Sequence, residues 1–199
     1  MALDMSKLES DRFRERILRA GREVLAERGF GAQITHIVNR ANVGTGTIYR
    51  YFGSKEGLVR AVVDELVLKT QSDLNEIAAT VDDAREGIRQ AMRVGFTRVK
   101  EYGQLTIALV AGTQPPQYRN ADAREELERF FAVLIHRGIA QGHFRPDLDI
   151  DYAVGAWFSL VAPQALRRLM DERSVEDISA ATTEFYLAAL GVGPRHVID

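Results

Sequence analysis

Residues 33–55 of this 199-residue chain read QITHIVNRANVGTGTIYRYFGSK. Apolar residues with helical spacing run from Ile34 to Ala41, and a second short segment of the same kind ends at Phe52. Asn42 stands between the two segments, and asparagine tolerates the left-handed backbone conformation that a tight turn requires. The stretch therefore predicts two short helices joined by a tight turn, which is a helix-turn-helix.

The second short segment predicts a helix with two unlike faces. At about 100° per residue, Ile48 and Phe52 lie on one face, and Gly46, Thr47 and Arg50 lie on the other. The apolar face is suited to packing on a small core, and the polar face is free to enter a groove of DNA.

The flanking sequence extends this pattern in both directions. A helix is predicted from Ser10 to Arg28, with Gly29 as its stop, and Ser54 is a suitable N-cap for a fourth, strongly apolar helix. Beyond residue 79 the apolar periodicity stays helical, with no sustained strand-type alternation. Further helices are expected around residues 88–99, 105–111, 127–139, 150–169 and 174–190. The predicted fold class is all-α.

Composition removes several classes of protein and site. The chain has no cysteine, so disulfide frameworks, thiol nucleophiles and cysteine-based zinc sites are excluded. It has no run of eighteen apolar residues and no apolar leader segment, which makes the cytoplasm the expected compartment. No P-loop, nucleophile elbow or dinucleotide glycine pattern appears, and the four histidines have no metal-ligand spacing. We therefore expect no enzymatic activity, no cofactor and no metal.

The overall net charge of −2 conceals an uneven distribution of charge. Residues 1–60 carry eleven basic and seven acidic side chains, a net charge of +4. The remaining residues carry 15 basic and 21 acidic side chains, a net charge of −6. A basic head on an acidic body is typical of a protein whose head contacts phosphate, although chance imbalance on solvated helix faces is the alternative.

The residues of the quoted stretch have chemistry suited to duplex DNA. Arg50 is able to read guanine through O6 and N7, Thr45 and Thr47 to contact phosphate or a thymine methyl, and Gly46 to admit a close backbone approach. Phosphate contacts are predicted at the flank, from Tyr49, Tyr51 and Lys55. Boundary packing of the tyrosines and simple solvation of Arg50 remain the alternatives.

The same residues carry a resemblance to a known family. Gly29-Phe30, Ile37-Val38, Ala41-Asn42-Val43, the run from Gly44 to Phe52, and Ser54-Lys55-Glu56-Gly57-Leu58 resemble the TetR family of bacterial transcriptional regulators. The resemblance is specific over residues 13–66 and only architectural beyond them. It implies DNA contacts at Thr45, Thr47, Tyr49, Tyr51 and Lys55, to which we add Gln33 and Thr35 of the preceding helix.

Three positions depart from the family's usual pattern. Gln33 replaces a threonine cap, Asn42 a turn glycine, and Gly44 a serine cap of the recognition helix. Because glycine in place of a serine or threonine cap costs only a few tenths of a kcal/mol, the fold is expected to survive. These departures bear on affinity and site preference more than on function.

The resemblance also implies a role for the rest of the chain. Residues 1–53 are expected to form the DNA-binding domain and residues 54–199 a helical ligand-binding and dimerisation domain, with 54–78 as the linking helix. Candidate ligand-binding residues are Met92, Phe96, Leu105, Tyr118, Phe131 and Trp157. Candidate dimer-interface residues are Phe158, Val161, Ala165, Ile178, Thr182 and Phe185. Plain packing in a monomeric core is the alternative for both sets.

Together these features predict a ligand-responsive DNA-binding regulator. We expect a repressor that binds a palindromic operator as a homodimer and is released by a small apolar or amphipathic effector. The alternative is a helical interaction adaptor or small-molecule-binding protein that does not bind DNA. Such an adaptor has no need of Thr47, Tyr49, Arg50 and Lys55 together on one side.

Overall fold

The computed structural model describes residues 2–161 and 172–191, and within them every regular element is helical apart from one isolated bridge between Phe144 and Gly191. The α-helices are α1 (Ala2–Arg28), α2 (Ile34–Ala41), α3 (Thr45–Phe52), α4 (Lys55–Thr80), α5 (Ala84–Val110), α6 (Ala121–Ala140), α7 (Ile150–Val161) and α8 (Val175–Leu190). Short 3-10 turns cover Gly29–Gly31 and Pro116–Tyr118. This confirms the all-α prediction. No helix within the described residues is both long and apolar enough to cross a membrane.

The chain divides into two compact units. The first contains residues 1–68 and 98–119, and the second contains residues 69–97 and 120–199. α4 and α5 therefore each contribute to both units. The predicted boundary after residue 53 is a division by role rather than by packing, and it stays a prediction.

The first unit has an apolar cluster to which α1, α2, α3, α4 and the end of α5 all contribute. Ile17, Ile37, Ile48 and Leu58 are fully buried, one from each of the first four helices. The apolar periodicity of the sequence produces this arrangement, because residues three or four apart share a helix face. α2 and α3 are therefore held on α1 and α4 by their apolar faces.

α5 is interrupted at Gly103. This residue has φ 44° and ψ −120°, a conformation that favours glycine because a side chain would be strained there. A Cβ built on Gly103 would overlap the carbonyl oxygen of Ala26, so the interruption also lets α5 approach the end of α1 closely. The sequence predicted separate helices at 88–99 and 105–111. The structure agrees, because the non-helical backbone of Gly103 separates two helical segments that meet there at a kink.

A polar network within the first unit links three helices. Glu65 of α4 accepts hydrogen bonds from Arg22 of α1 at 2.6 Å and from the hydroxyl of Tyr102 of α5 at 2.7 Å. Burial lowers the pKa of Arg22, but the charge and hydrogen bonds of Glu65 and Tyr102 outweigh it, so the pKa is raised. The network therefore keeps Arg22 charged and ties α1, α4 and α5 together.

The second unit has its own aromatic core. Met92 and Phe96 of α5, Phe131 of α6 and Trp157 of α7 are all buried. α7 and α8 begin at side-chain caps, because Asp149 accepts from the backbone N–H of Tyr152 at 2.9 Å and Ser174 from that of Asp177 at 3.0 Å. Both starts match the sequence expectation.

Asp83 caps α5, and its ionisation makes the folding stability depend on pH. Its Oδ1 accepts from the backbone N–H groups of Glu86 and Arg85 at 3.0 and 2.9 Å. The hydrogen bond from Glu86, with help from Arg85 and against an opposing effect of burial, lowers the pKa of Asp83 to about 2. A lowered pKa means that this stabilisation exists above the unfolded-state pKa of about 3.9 and is lost as pH falls towards 2.

We therefore expect the Asp83→Asn variant to lose less stability than the parent protein between about pH 4 and pH 2. The difference should be about 1 kcal/mol, since the Asp83 side chain is 41% exposed and solvent screens its charge interactions. Thermal unfolding of both proteins across that range measures it. Equal acid sensitivity of the two proteins would show that the cap does not depend on the ionised carboxylate.

Candidate nucleic-acid interface

The turn between α2 and α3 has the predicted geometry. Asn42 has φ 50° and ψ 55°, the left-handed conformation, and it is the only non-glycine residue with positive φ in the described part of the chain. The N–H of Val43 donates to the carbonyl of Val38 at 3.3 Å and satisfies one of the last carbonyls of α2. The substitution of asparagine for the family's glycine thus preserves the turn.

α3 presents one apolar face to the core and one polar face to solvent. Ile48 is fully buried and Phe52 is half-buried against the core cluster. The exposed residues of the helix are Thr45, Gly46, Tyr49 and Arg50, and Thr47 is partly exposed. Apart from the adjacent residues and the backbone of α3 itself, no heavy atom lies within 4 Å of a Cβ built on Gly46, so the backbone at that point is open to a large partner.

Gln33 is the N-cap of α2, and its side chain is exposed, as is that of Thr35. The backbone N–H of Gln33 donates to Nδ1 of His36 at 3.1 Å. His36 therefore closes the first turn from the other direction, in the place that a glutamate takes in a capping box. This role of His36 was not predicted, although a polar side chain three residues after the cap position was a usable signal.

Arg50 and Tyr51 contact each other on the rim of the exposed face. The guanidinium of Arg50 lies 4.9 Å from the centre of the Tyr51 ring, and its Nη2 donates to the Tyr51 hydroxyl at 3.4 Å. The hydroxyl of Ser10 on α1 also donates to the Tyr51 hydroxyl at 3.4 Å. Ser10 is a second contact that sequence reasoning did not find, and it anchors the Tyr51 hydroxyl to α1.

α4 begins close against the end of α3. The hydroxyl of Ser54 accepts from the N–H of Gly57 at 3.0 Å, which confirms Ser54 as the cap. A Cβ built on Gly57 would overlap the carbonyl oxygen of Phe52, so only glycine allows the two helices to meet at this distance. Lys55, the first residue of α4, is half-buried beside this junction.

The side chain of Arg40 is bound by two carboxylates of α1. It forms ion pairs with Glu27 at 2.8 Å and with Glu23 at 3.1 Å. Hydrogen bonds from Arg40 to Glu27 and then to Glu23 raise its pKa. Arg40 therefore fastens α2 to α1, and its charge is compensated.

The six candidate ligand-binding residues are all buried, but they do not form one group. Met92, Phe96, Phe131 and Trp157 belong to the second unit, where the ring centres of Phe131 and Trp157 are 3.9 Å apart. Leu105 and Tyr118 belong to the first unit, and the Tyr118 ring stacks on Phe30 at 5.1 Å between centres.

The candidate dimer residues also have different surroundings. Phe158, Val161 and Ile178 are 5%, 1% and 3% exposed, so they are core residues of their own protomer. Thr182 is partly exposed and Phe185 is 67% exposed. Ala165 lies outside the described residues.

Comparison with known proteins places this geometry in a family. The family model described as "Bacterial regulatory proteins, tetR family" matches residues 17–62. HTH-type transcriptional repressor KstR2 of Mycolicibacterium smegmatis is 26% identical over 144 residues, covering 69% of this chain and 70% of that protein.

Two solved structures share the fold. KstR2 of Mycobacterium tuberculosis, a ketosteroid transcriptional regulator, has a TM-score of 0.73 at 17% identity, covering 90% of this chain and 95% of that one. FadR of Bacillus subtilis in complex with stearoyl-CoA has a TM-score of 0.66 at 20% identity, covering 88% and 98%. Since the family model falls on the helix-turn-helix and the relatives extend over the other helices, this chain belongs to the TetR family of DNA-binding bacterial transcriptional regulators.

Proposed function

We propose that this protein is a ligand-responsive repressor in the cytoplasm, which binds a palindromic operator as a homodimer. The exposed polar face of α3 is the observation that supports this proposal most directly. Its backbone is fixed by the buried Ile48 and by the glycine junction to α4, so Thr45, Thr47 and Arg50 are presented on a rigid element. A helix braced in this way is suited to enter a major groove without first becoming ordered.

DNA selection tests the proposal. Random-sequence duplexes enriched on the purified protein should converge on a palindrome, with half-sites separated by about one helical turn. The affinity should fall steeply with salt, with a log–log slope of about −0.9 for each phosphate contacted. A flat salt dependence, or no enrichment, would favour the helical adaptor instead.

Arg50 is the residue we expect to read a base. Since it rests on Tyr51 in the free protein, it has a defined starting position on the rim of α3. Replacing Arg50 by alanine should relax the preference at one base pair of each half-site by about 1–3 kcal/mol. Binding to a set of single-base operator variants measures this, with Arg93→Ala, an exposed arginine of α5, as the control. An equal loss on every sequence would reassign Arg50 to phosphate.

Lys55 is the residue we expect to contact phosphate. The Lys55→Ala variant should weaken binding to all duplexes alike and reduce the magnitude of the salt slope by about one unit, because one fewer phosphate is neutralised. Anisotropy titrations at several salt concentrations measure the slope. Lys100→Ala, which removes an exposed lysine from α5, should leave the slope unchanged. A slope that stays the same in both variants would place Lys55 outside the interface.

The dimer interface that we propose lies on the exposed sides of α7 and α8. Tyr152 of α7 is 76% exposed and Phe185 of α8 is 67% exposed, so each of these helices presents a large ring to solvent. The two helices are joined beside these residues, since the hydroxyl of Tyr186 donates to the carbonyl of Ala153 at 2.7 Å. Small residues complete the exposed faces, namely Gly155, Ser159, Ala181 and Ala188. Phe158, Val161 and Ile178 then support this interface from behind.

The effector that we propose is a small apolar or amphipathic molecule bound in the second unit. Met92, Phe96, Phe131 and Trp157 supply an apolar environment there, and the FadR relative was solved with the amphipathic stearoyl-CoA. Binding would change the separation of the two recognition helices from the roughly 34 to 36 Å that matches successive major grooves. Repression would end because the dimer could no longer reach both half-sites.

A further inference from the structure

The indole nitrogen of Trp157, in the second unit, has an unusual environment. Trp157 is 3% exposed, and its Nε1 is fully buried without an acceptor within hydrogen-bond reach among the described residues. Tryptophan has a single donor and no acceptor, and a buried indole N–H usually has a partner. A donor left unpaired in this way is a feature that packing alone does not favour.

The surroundings of the indole ring explain why the protein supplies no acceptor. Phe131 lies 3.9 Å away and Phe158 5.0 Å away between ring centres. Gly95 of α5 lies beside the edge of the indole that carries Cζ2, the atom one bond from the carbon bearing Nε1. A Cβ built on Gly95 would lie 3.4 Å from Cζ2. The ring is thus enclosed by aromatic faces and by a residue without a side chain.

The charge on this cluster is already compensated. The guanidinium of Arg124 lies 3.7 Å from the centre of the Phe158 ring, and its Nε donates to Glu128 at 2.6 Å. An anionic ligand group would therefore meet a carboxylate together with the arginine. The donor that the cluster offers is neutral, and its complement is a neutral oxygen acceptor.

We propose that Trp157 Nε1 is the specificity-determining donor of the effector site and that it selects apolar ligands carrying a carbonyl oxygen. This inference rests on the proposed function, since it takes the second unit as the effector site. The carbonyl of a ketone, ester or thioester accepts the indole proton, while its hydrocarbon part packs on Phe131 and Phe158. A ligand of the same shape without the oxygen leaves the donor unpaired and binds more weakly.

The chain has one tryptophan, so the indole proton is a single-site probe. The ¹⁵N-labelled full-length protein should show one indole cross-peak, at a position typical of a proton without a hydrogen-bond partner. We would titrate methyl ketones from octan-2-one to hexadecan-2-one, each beside the isostere in which methylene replaces the carbonyl oxygen. At least one ketone should move the peak downfield, and its isostere should not.

Two variants separate the hydrogen bond from the packing. Trp157→Phe keeps an aromatic ring and removes the donor, and it should abolish a ketone preference of about tenfold, equivalent to about 1.4 kcal/mol. Phe131→Leu keeps the donor and removes aromatic area, so it should weaken both ligands alike and preserve the preference. Affinities for both variants come from calorimetry or from displacement of a fluorescent apolar probe.

Three results would overturn the inference. They are an indole proton that is already hydrogen-bonded in the free protein, a cross-peak that no ketone moves downfield, and a ketone preference that survives in Trp157→Phe. Operator binding in the same preparations is measured independently of Trp157. A protein that binds DNA but fails these tests refutes the role of the indole alone, whereas a protein without DNA binding refutes the proposed function.

Discussion

Replacing Gly57 by alanine is expected to cost about 3 kcal/mol of folding stability and to abolish operator binding. The added methyl group would overlap the carbonyl oxygen of Phe52, which is backbone and has no alternative rotamer. The overlap can be relieved only if α3 and α4 separate at Ser54. Such a separation displaces the recognition helix from the core beneath it. Thermal unfolding and anisotropy with the selected operator measure the two effects.

Gly46→Ala is the matched control for Gly57→Ala. Both glycines are helical, but apart from the adjacent residues and the helix backbone no heavy atom lies within 4 Å of a Cβ at Gly46. The control should therefore gain up to about 1 kcal/mol of stability from helix propensity, while its effect on DNA is limited to the contact surface. If Gly57→Ala unfolds at the same temperature as Gly46→Ala, the close junction between α3 and α4 does not determine the stability of the helix-turn-helix.

The local structure of the helix-turn-helix was predictable because it depends on residues close together in the sequence. Asn42 takes the left-handed conformation, Ser54 caps α4 and Ile48 is buried, as expected from residue type and helical spacing. Each of these follows from neighbours within four residues. The contacts from α1 were not predictable in the same way, because Ser10 meets Tyr51 and Glu27 meets Arg40 only after the helices have packed.

For the helices of the second unit, helical periodicity predicts which residues are buried but not what they pack against. An apolar stripe predicts that Phe158, Val161 and Ile178 are buried, but it does not say whether they pack within one protomer or between two. The structure places all three within their own protomer. In the same way, the pattern did not separate Leu105 from Phe96, although the two belong to different units.

The kink at Gly103 in α5 shows a third limit on what can be predicted from the sequence. Gly103 stood between two predicted helices, and glycine is tolerated both in a linker and at a sharp kink where two helical segments adjoin, as observed here. What decides between them is the approach of Ala26 from α1, which is more than seventy residues away in sequence. Long-range packing of this kind carries no local signal.

Phe185→Glu is expected to dissociate the dimer while leaving each protomer folded. Its ring is 67% exposed in the protomer, so the substitution disturbs little there. A two-fold interface contains the residue twice, and burial of one phenylalanine side chain contributes about 1.5–3 kcal/mol. Loss of both copies gives about 3–6 kcal/mol, which is at least a hundredfold rise in the dimer dissociation constant.

Sedimentation over a range of concentrations measures the dimer constant, and circular dichroism checks the fold. Val133→Glu is the matched control, because Val133 is 51% exposed on α6 and the same charge is introduced on a helix outside the proposed interface. The Phe185 variant should retain only half-site binding, since one recognition helix contacts too few base pairs to hold an operator. A Phe185→Glu protein that remains dimeric at nanomolar concentration would place the interface on another surface and require a different route from effector to DNA.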